Sequence, residues 1–265
     1  MCGIAGYSLS PSSSVDRTLA AQALLAAIAE RGADAVGYAH RTPITGRAQV
    51  HKQRSGASEL LERIHVPVDA TEALVHVRDY TKGHPSITAN NHPVRHGAVV
   101  GIHNGIIAND EQIFARHGFE RDRPEQTVDS EAIFALAETT SSHAEALEEL
   151  YGAMAAAWID ERKPGILYVA RGVLRPLWVG RGPRETFFAS TRLALETVEQ
   201  YAQVRLQKRE VAEGSLLALA DGRIAWTERF RPDTSFAEDK ELPAVRAPHE
   251  GQSCLQRLKV IAAAA

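Results

Sequence analysis

Cysteine is almost absent from this 265-residue chain, which has only Cys2 and Cys254. Two thiols cannot build the disulfide framework of a small secreted domain, so a reducing, cytoplasmic setting is expected, where a thiol stays free for chemistry. An excess of charge of either sign is missing too. Thirty Lys and Arg against 33 Asp and Glu leave a net charge of −3, without the basic footprint that a nucleic-acid surface needs. No run approaches the roughly 20 apolar residues that span a bilayer. Polar residues from Ser8 to Ser14 interrupt the one stretch that could serve as a secretion signal. Neither nucleic acid nor membrane is therefore an expected partner. What is present is ordinary for a globular domain, with 44% hydrophobic and 24% charged residues, enough to bury a sizeable core.

Periodicity predicts a strand over 2–8 and a helix near 17–30, with Leu24, Leu25 and Ile28 on its apolar side. Strands over 34–41 and 48–54 flank a turn at Thr42-Pro43 to Gly46 and read as a hairpin. Further strands are expected at 74–78 and 97–103, and helices at 110–117, 129–138 and 143–156. In the last of these, Leu147, Leu150, Tyr151 and Met154 recur at helical spacing. Strands then return at 156–160, 166–171, 177–180 and 186–189. A short helix near 191–201 and a hairpin about Asp221-Gly222 follow. Strands and helices are segregated rather than alternating, which argues for an α+β layered domain. Residues 231–265 show weak periodicity and read as an irregular C-terminal tail on a 1–230 domain.

The thiol's position suggests its chemistry. Once an initiator methionine is removed, Cys2 becomes the N-terminal residue, and its α-amine, titrating near pH ~8, is basic enough to take the thiol proton. Cys254, near an alanine-rich end, carries no such signal. His76, His84, His92, His96 and His103 crowd the centre of the chain, but their spacing gives no metal-binding face, so buried or loop-packing histidines are expected and no metal. Gly180-Arg181-Gly182 reads as a hairpin turn and not a phosphate cradle.

Several segments, in order and spacing, carry a more specific pattern. They are Cys2-Gly3-Ile4-Ala5-Gly6, Arg31-Gly32-Ala33-Asp34-Ala35-Val36-Gly37, His76-Val77-Arg78 through Asn90-Asn91-His92-Pro93-Val94, His103-Asn104-Gly105-Ile106-Ile107-Ala108-Asn109, and Thr127-Val128-Asp129-Ser130-Glu131. Together they closely resemble the class II glutamine amidotransferases, whose glutaminase domain is an N-terminal nucleophile hydrolase. The resemblance spans roughly residues 1–226. It implies a four-layer αββα sandwich, with two packed antiparallel sheets flanked by helices, and hydrolysis of L-glutamine to L-glutamate and ammonia without a cofactor. By the same resemblance, Cys2 is the nucleophile, Asn104 and Gly105 form the oxyanion site, Arg78 takes the substrate α-carboxylate, Asp129 its α-ammonium, and Thr81 makes a further contact. From the residues alone, Asp129 reads equally well as a helix N-cap. The Arg31-Gly32-Ala33-Asp34 segment is expected to be structural.

The match departs from the family at Asp79-Tyr80, where relatives commonly place aromatic or small polar residues, and at Lys82, where a histidine or small residue is common. If Asp79 faces the pocket, glutamine affinity falls; if it faces away, nothing changes. No synthetase domain is recognisable after residue 226, so the expectation is a stand-alone glutaminase domain that passes ammonia to a separate acceptor subunit, with homo-oligomer formation left open. Two alternatives stand beside it: an N-terminal-cysteine amidase or acylase acting on another amide, and a catalytically degenerate, amidotransferase-like regulatory subunit.

Overall fold

A computed structural model describes residues 1–140, 143–238 and 243–264. In chain order the strands of the first half are β1 (Gly3–Leu9), β2 (Ala35–Arg41), β3 (Ala48–Gln53), β4 (Glu72–Arg78), β5 (Val94–His96) and β6 (Val99–Ile107). Those of the second half are β7 (Gly152–Asp160), β8 (Ile166–Arg171), β9 (Trp178–Arg181), β10 (Glu185–Ala189), β11 (Gln207–Glu210), β12 (Ser215–Ala220) and β13 (Arg223–Arg229). The helices are α1 (Arg17–Ile28), α2 (Ala57–Leu60), α3 (Asp110–His117), α4 (Glu131–Thr139), α5 (His143–Leu147), α6 (Arg192–Ala202) and α7 (Pro248–Ala264).

Seven strands form one sheet in the order β11-β9-β10-β1-β4-β2-β3, and six form a second in the order β13-β12-β8-β7-β6-β5. All the strand pairings are antiparallel. Period-two alternation divides each strand between two apolar layers. Ile4, Leu74, Val100, Ile102, Ala155 and Ala157 meet between the sheets. Ala5, Tyr7, Val75 and Val77 turn the other way, onto α1, α6 and α7. Met154, Ala156 and Trp158 turn outward onto the α4 side. Three apolar layers separated by two sheets make the four-layer αββα sandwich. The inter-sheet seam is also stapled by a buried ion pair: Arg41 forks onto Glu72 at 2.7 and 3.0 Å across β2 and β4 and donates to the carbonyls of Asp160 and Ile166.

Three sequence expectations are corrected. The helix expected over 143–156 stops at Leu147, and β7 begins at Gly152. Every residue of β7 is buried, so its alanine-rich run shows no alternation, and alanine's high helix propensity misleads. The strand expected over 97–103 is a hairpin of β5 and β6 that turns at Gly97, where φ is +53°. The expected irregular tail carries α7, a 17-residue helix packed on α1 through Cys254 and Leu258. Residues 239–242 and 265 of that tail lie outside the described residues. Among the described residues no helix is long and apolar enough to cross a membrane.

Candidate active site

Cys2 immediately precedes β1, which lies in the interior of the seven-stranded sheet between β10 and β4. Ser190, just past β10, ties that end of β1 down: its Oγ accepts from Ile4 N–H at 3.0 Å, and its own N–H donates to the Ile4 carbonyl at 2.9 Å. Arg31 donates from Nε to the Cys2 carbonyl at 2.9 Å. Gly3 leaves room for this crossing, since a Cβ there would lie 2.9 Å from both Ile28 and Val77. The nucleophile candidate is thus fixed by backbone contacts on both sides. Its Sγ rests on the backbone of Asp79, donating to the carbonyl at 3.4 Å and receiving the N–H at 3.5 Å. Burial pushes the thiol above its ordinary range, opposed by the Asp79 hydrogen bond and the nearby Arg78 charge. A thiol held protonated this way needs a base beside it before it can attack.

The second sheet faces Cys2 with the Asn104-Gly105 bend of β6. Alternation from Val100 and Ile102 aims position 104 at the inter-sheet side. Asn104 is fully buried, and neither its Oδ1 nor its Nδ2 has a hydrogen-bond partner among the described residues. Leaving a buried amide unpaired costs about 1–3 kcal/mol, so the position needs a reason beyond packing. Gly105 sits at φ +151°, and a Cβ there would lie 1.8 Å from the Ala153 carbonyl oxygen, so no other residue fits. Behind them, His103 bonds Ser130 Oγ through Nδ1 at 2.8 Å and the Ala153 carbonyl through Nε2 at 3.3 Å. Because a carbonyl only accepts, Nε2 carries the proton and Nδ1 receives the serine hydroxyl. Burial holds His103 neutral, pushed down to about 3. His76, also pushed down to about 3, donates Nε2–H to the His103 carbonyl and stacks on His92 at 4.2 Å. All three histidines are buried, and burial holds them neutral.

Arg78 ends β4 and is 2% exposed. Its Nη1 donates to Asn91 Oδ1 at 2.6 Å, and its Nη2 to the carbonyls of Lys82 and Gly83. Of the five N–H donors of a guanidinium, two therefore hold the 79–83 loop against the site and a third ties Arg78 to Asn91. Lys82 latches the far side of that loop, pairing with Asp110 at 2.5 Å and Glu111 at 3.3 Å at the start of α3. Asp79 turns its carboxylate away from the Arg78 fork, toward the chain's N-terminus.

Asp129 does not cap α4. Its Oδ2 accepts from Ile107 N–H at 2.7 Å, linking the approach to α4 with the end of β6, while Ser130 occupies the N-cap position. Burial, with a smaller contribution from Asp110, pushes its carboxyl up to about 6.

Cys2, Arg78, Thr81, Gly105 and Asp129 line one cleft, together with Asp79, Tyr80, Lys82, His92, His103, Val128 and Ser130. Asn104 lies beside Gly105 but beneath the wall. The cleft encloses about 10 Å³, the space of one water. Sequence reasoning assigned no role to Asn91, which grips Arg78, or to Asn90, whose Oδ1 accepts from the Thr127 and Val128 amides at 2.7 and 3.1 Å and shapes the approach to Asp129. The available signal was a pair of adjacent asparagines in a Gly/Pro-rich loop.

Comparison with known proteins bears on the family and the fold. A family profile for the glutamine amidotransferase domain matches residues 76–197. The glutamine–fructose-6-phosphate aminotransferase (isomerizing) of Shouchella clausii is 29% identical over 217 residues, covering 77% of this chain and 34% of that protein. The enzyme of the same name from Geobacillus kaustophilus is 26% identical over 273 residues, covering 94% and 42%. The chain thus spans well under half the length of these relatives. Among solved structures, the glutamine phosphoribosylpyrophosphate amidotransferase of B. subtilis superposes with a TM-score of 0.66 at 20% identity, covering 86% of this chain and 49% of that one. A structure described as the allosteric regulatory enzyme of purine biosynthesis gives 0.68 at 22% identity. With the motifs and the two-sheet sandwich in agreement, this chain carries a glutamine amidotransferase domain, matched over residues 76–197, on the fold of the N-terminal nucleophile hydrolases.

Proposed function

We propose that the chain hydrolyses L-glutamine to L-glutamate and ammonia through a thioester on Cys2, and that the ammonia is delivered to an acceptor on a separate subunit. The observation that carries this reading is the unpartnered, fully buried Asn104 amide beside Gly105. Removal of Met1 frees the Cys2 α-amine, which takes the thiol proton as Sγ attacks the side-chain amide carbon of glutamine. The oxyanion then receives the Asn104 Nδ2–H and the Gly105 N–H, donors fixed before the reaction begins. The proton passes to the leaving nitrogen, ammonia departs, and water resolves the thioester. Asp129 holds the α-ammonium of glutamine. Arg78 offers its remaining donors, Nε–H and one on Nη1, to the α-carboxylate, and Thr81 lies on the same wall. An acceptor is needed because free ammonia is protonated at neutral pH and lost. Among the described residues the chain after β13 returns to pack α7 on α1.

The direct test is to incubate the protein, with Met1 removal confirmed by intact mass, with L-glutamine and a panel of N-acyl amides. Release of glutamate and ammonia in equal amounts is expected; a preference for acyl amides lacking an α-ammonium would overturn the reading.

The elevated Asp129 carboxyl gives a pH prediction. The substrate's ammonium requires the ionised carboxylate, which is lost as pH falls through about 6. The KM for glutamine should therefore rise below pH 6 while kcat changes less, a split that steady-state kinetics from pH 5 to 8 would read. The folded-state value lies above the ordinary 3.8, so the folded protein binds this proton more tightly than the unfolded chain, and the group's contribution to stability declines as pH rises from about 4 to 6. Asp129→Asn should accordingly raise KM at pH 7 without lowering Tm.

A further inference from the structure

The N-terminal ammonium does not hang free. In the chain that retains Met1, that group is bound by Asp79 Oδ2 at 2.5 Å and by the carbonyl of Pro243 at 3.3 Å. The other oxygen of Asp79 faces Arg246 Nε at 3.4 Å. Pro243 and Arg246 belong to the short segment leading into α7, and its placement is firm: the Arg246 and Ala247 amides both donate to the Glu30 carbonyl at 2.9 Å. Glu30 adjoins Arg31, which holds the Cys2 carbonyl. In the first turn of α7, Glu250 receives Ser58 N–H at 2.8 Å and Ser58 Oγ–H at 3.1 Å, fastening α7 to the start of α2. A C-terminal strap therefore crosses the N-terminus and meets the loop on which the nucleophile rests.

From this arrangement we infer that Asp79, steadied by Arg246, is a positioning residue that grips the α-ammonium formed when the Cys2 amine accepts the thiol proton. The inference rests on the reading of Cys2 as an N-terminal nucleophile. The Asp79 backbone already brackets Sγ at 3.4 and 3.5 Å, so its carboxylate, on a side chain with two rotatable bonds, stays within reach of the Cys2 amine once Met1 is gone. The proton balance is simple. Sγ–H loses its proton to the α-amine, leaving a thiolate and an ammonium, and no other reactant is consumed. Arg78 and Arg31 stand on the thiolate side of that pair, and Asp79 supplies the opposite charge on the ammonium side, with Arg246 behind it. A strongly hydrated ammonium in a half-buried site needs such a partner. This also accounts for a carboxylate at a position where relatives commonly place other residues: it serves the nucleophile's own amine and not the substrate.

The test uses the Met1-free protein and two readouts, glutamine turnover and the rate of Cys2 alkylation by iodoacetamide at neutral pH. Asp79→Asn is expected to lower kcat and slow alkylation by a similar factor, about ten- to a hundredfold, with KM nearly unchanged, as for loss of orientation at a reacting group. Asp79→Glu should restore most of both, and Arg246→Ala, at an exposed side chain, should slow alkylation in the same direction by a smaller factor. Alkylation of Asp79→Asn at the wild-type rate, or an effect confined to KM, would overturn the inference. If the wild type releases no glutamate yet alkylation still depends on Asp79, the positioning role stands and the glutaminase reading falls.

Discussion

Cys2→Ala is expected to reduce glutamate release by about 10⁴-fold or more, to the level of the uncatalysed reaction, because no second nucleophile is placed to replace Sγ. The cleft offers Thr81 and Ser130 hydroxyls, but the Ser130 Oγ is engaged with His103 at 2.8 Å, and His103 is a neutral, buried group. The side chain removed is small, and the contacts that hold this end of the chain run through the Cys2 carbonyl, so folding and glutamine affinity should survive. A chain that retains Met1 should be as inactive as the alanine variant, since its proposed base is locked in a peptide bond. The measurement is glutamate formation by purified protein of verified N-terminus, with bound glutamine followed separately by calorimetry. Appreciable turnover by Cys2→Ala would remove the thioester from the mechanism.

Asn104→Ala should lower kcat by about 10²- to 10³-fold, the loss typical for one oxyanion donor, with KM little changed. Stability gives this prediction a second edge. The Asn104 amide has no partner in the unliganded fold, so deleting it removes a buried unsatisfied group and offsets the small cavity left behind. Tm should therefore hold or rise as activity collapses, the pattern of a residue kept for function at the expense of the fold. A large drop in Tm together with preserved kcat would instead assign Asn104 to packing. Asn104→Asp is a useful companion, because it keeps the volume while replacing the donor with a repelling charge.

The candidate site was legible in the sequence mainly through the family pattern. Cys2 is marked by its position, but Asn104-Gly105 alone reads as a turn and Arg78 alone as a charge ending a strand, and the resemblance is what assigned them roles. What could not be read was the use of each group in three dimensions. Arg78 looked like a ligand fork, and two of its donors hold a loop. Asp129 offered two readings, and its side chain turned out to bridge to β6 instead of capping α4. The elements misread share a physical cause, which is that burial departed from the usual period. β7 is covered on both faces, so its alanines show no alternation. Helix α7 buries only Glu250, Gly251, Cys254 and Leu258, too narrow a stripe to show against its polar neighbours. The edge strand β11 consists of Gln207, Lys208, Arg209 and Glu210, and nothing in those side chains marks a strand; its register against β9 does.

The position of β1 has a consequence for the order of events during synthesis. Its two neighbours are β4, which ends at Arg78, and β10, which ends at Ala189. The ribosome makes β1 first, yet the strand cannot be enclosed until its second neighbour emerges, roughly 10 to 40 s later at ordinary elongation rates. Throughout that interval β1 has at most one of its two neighbours. The sheet that carries Cys2 is therefore closed late, by a strand drawn from far along the chain.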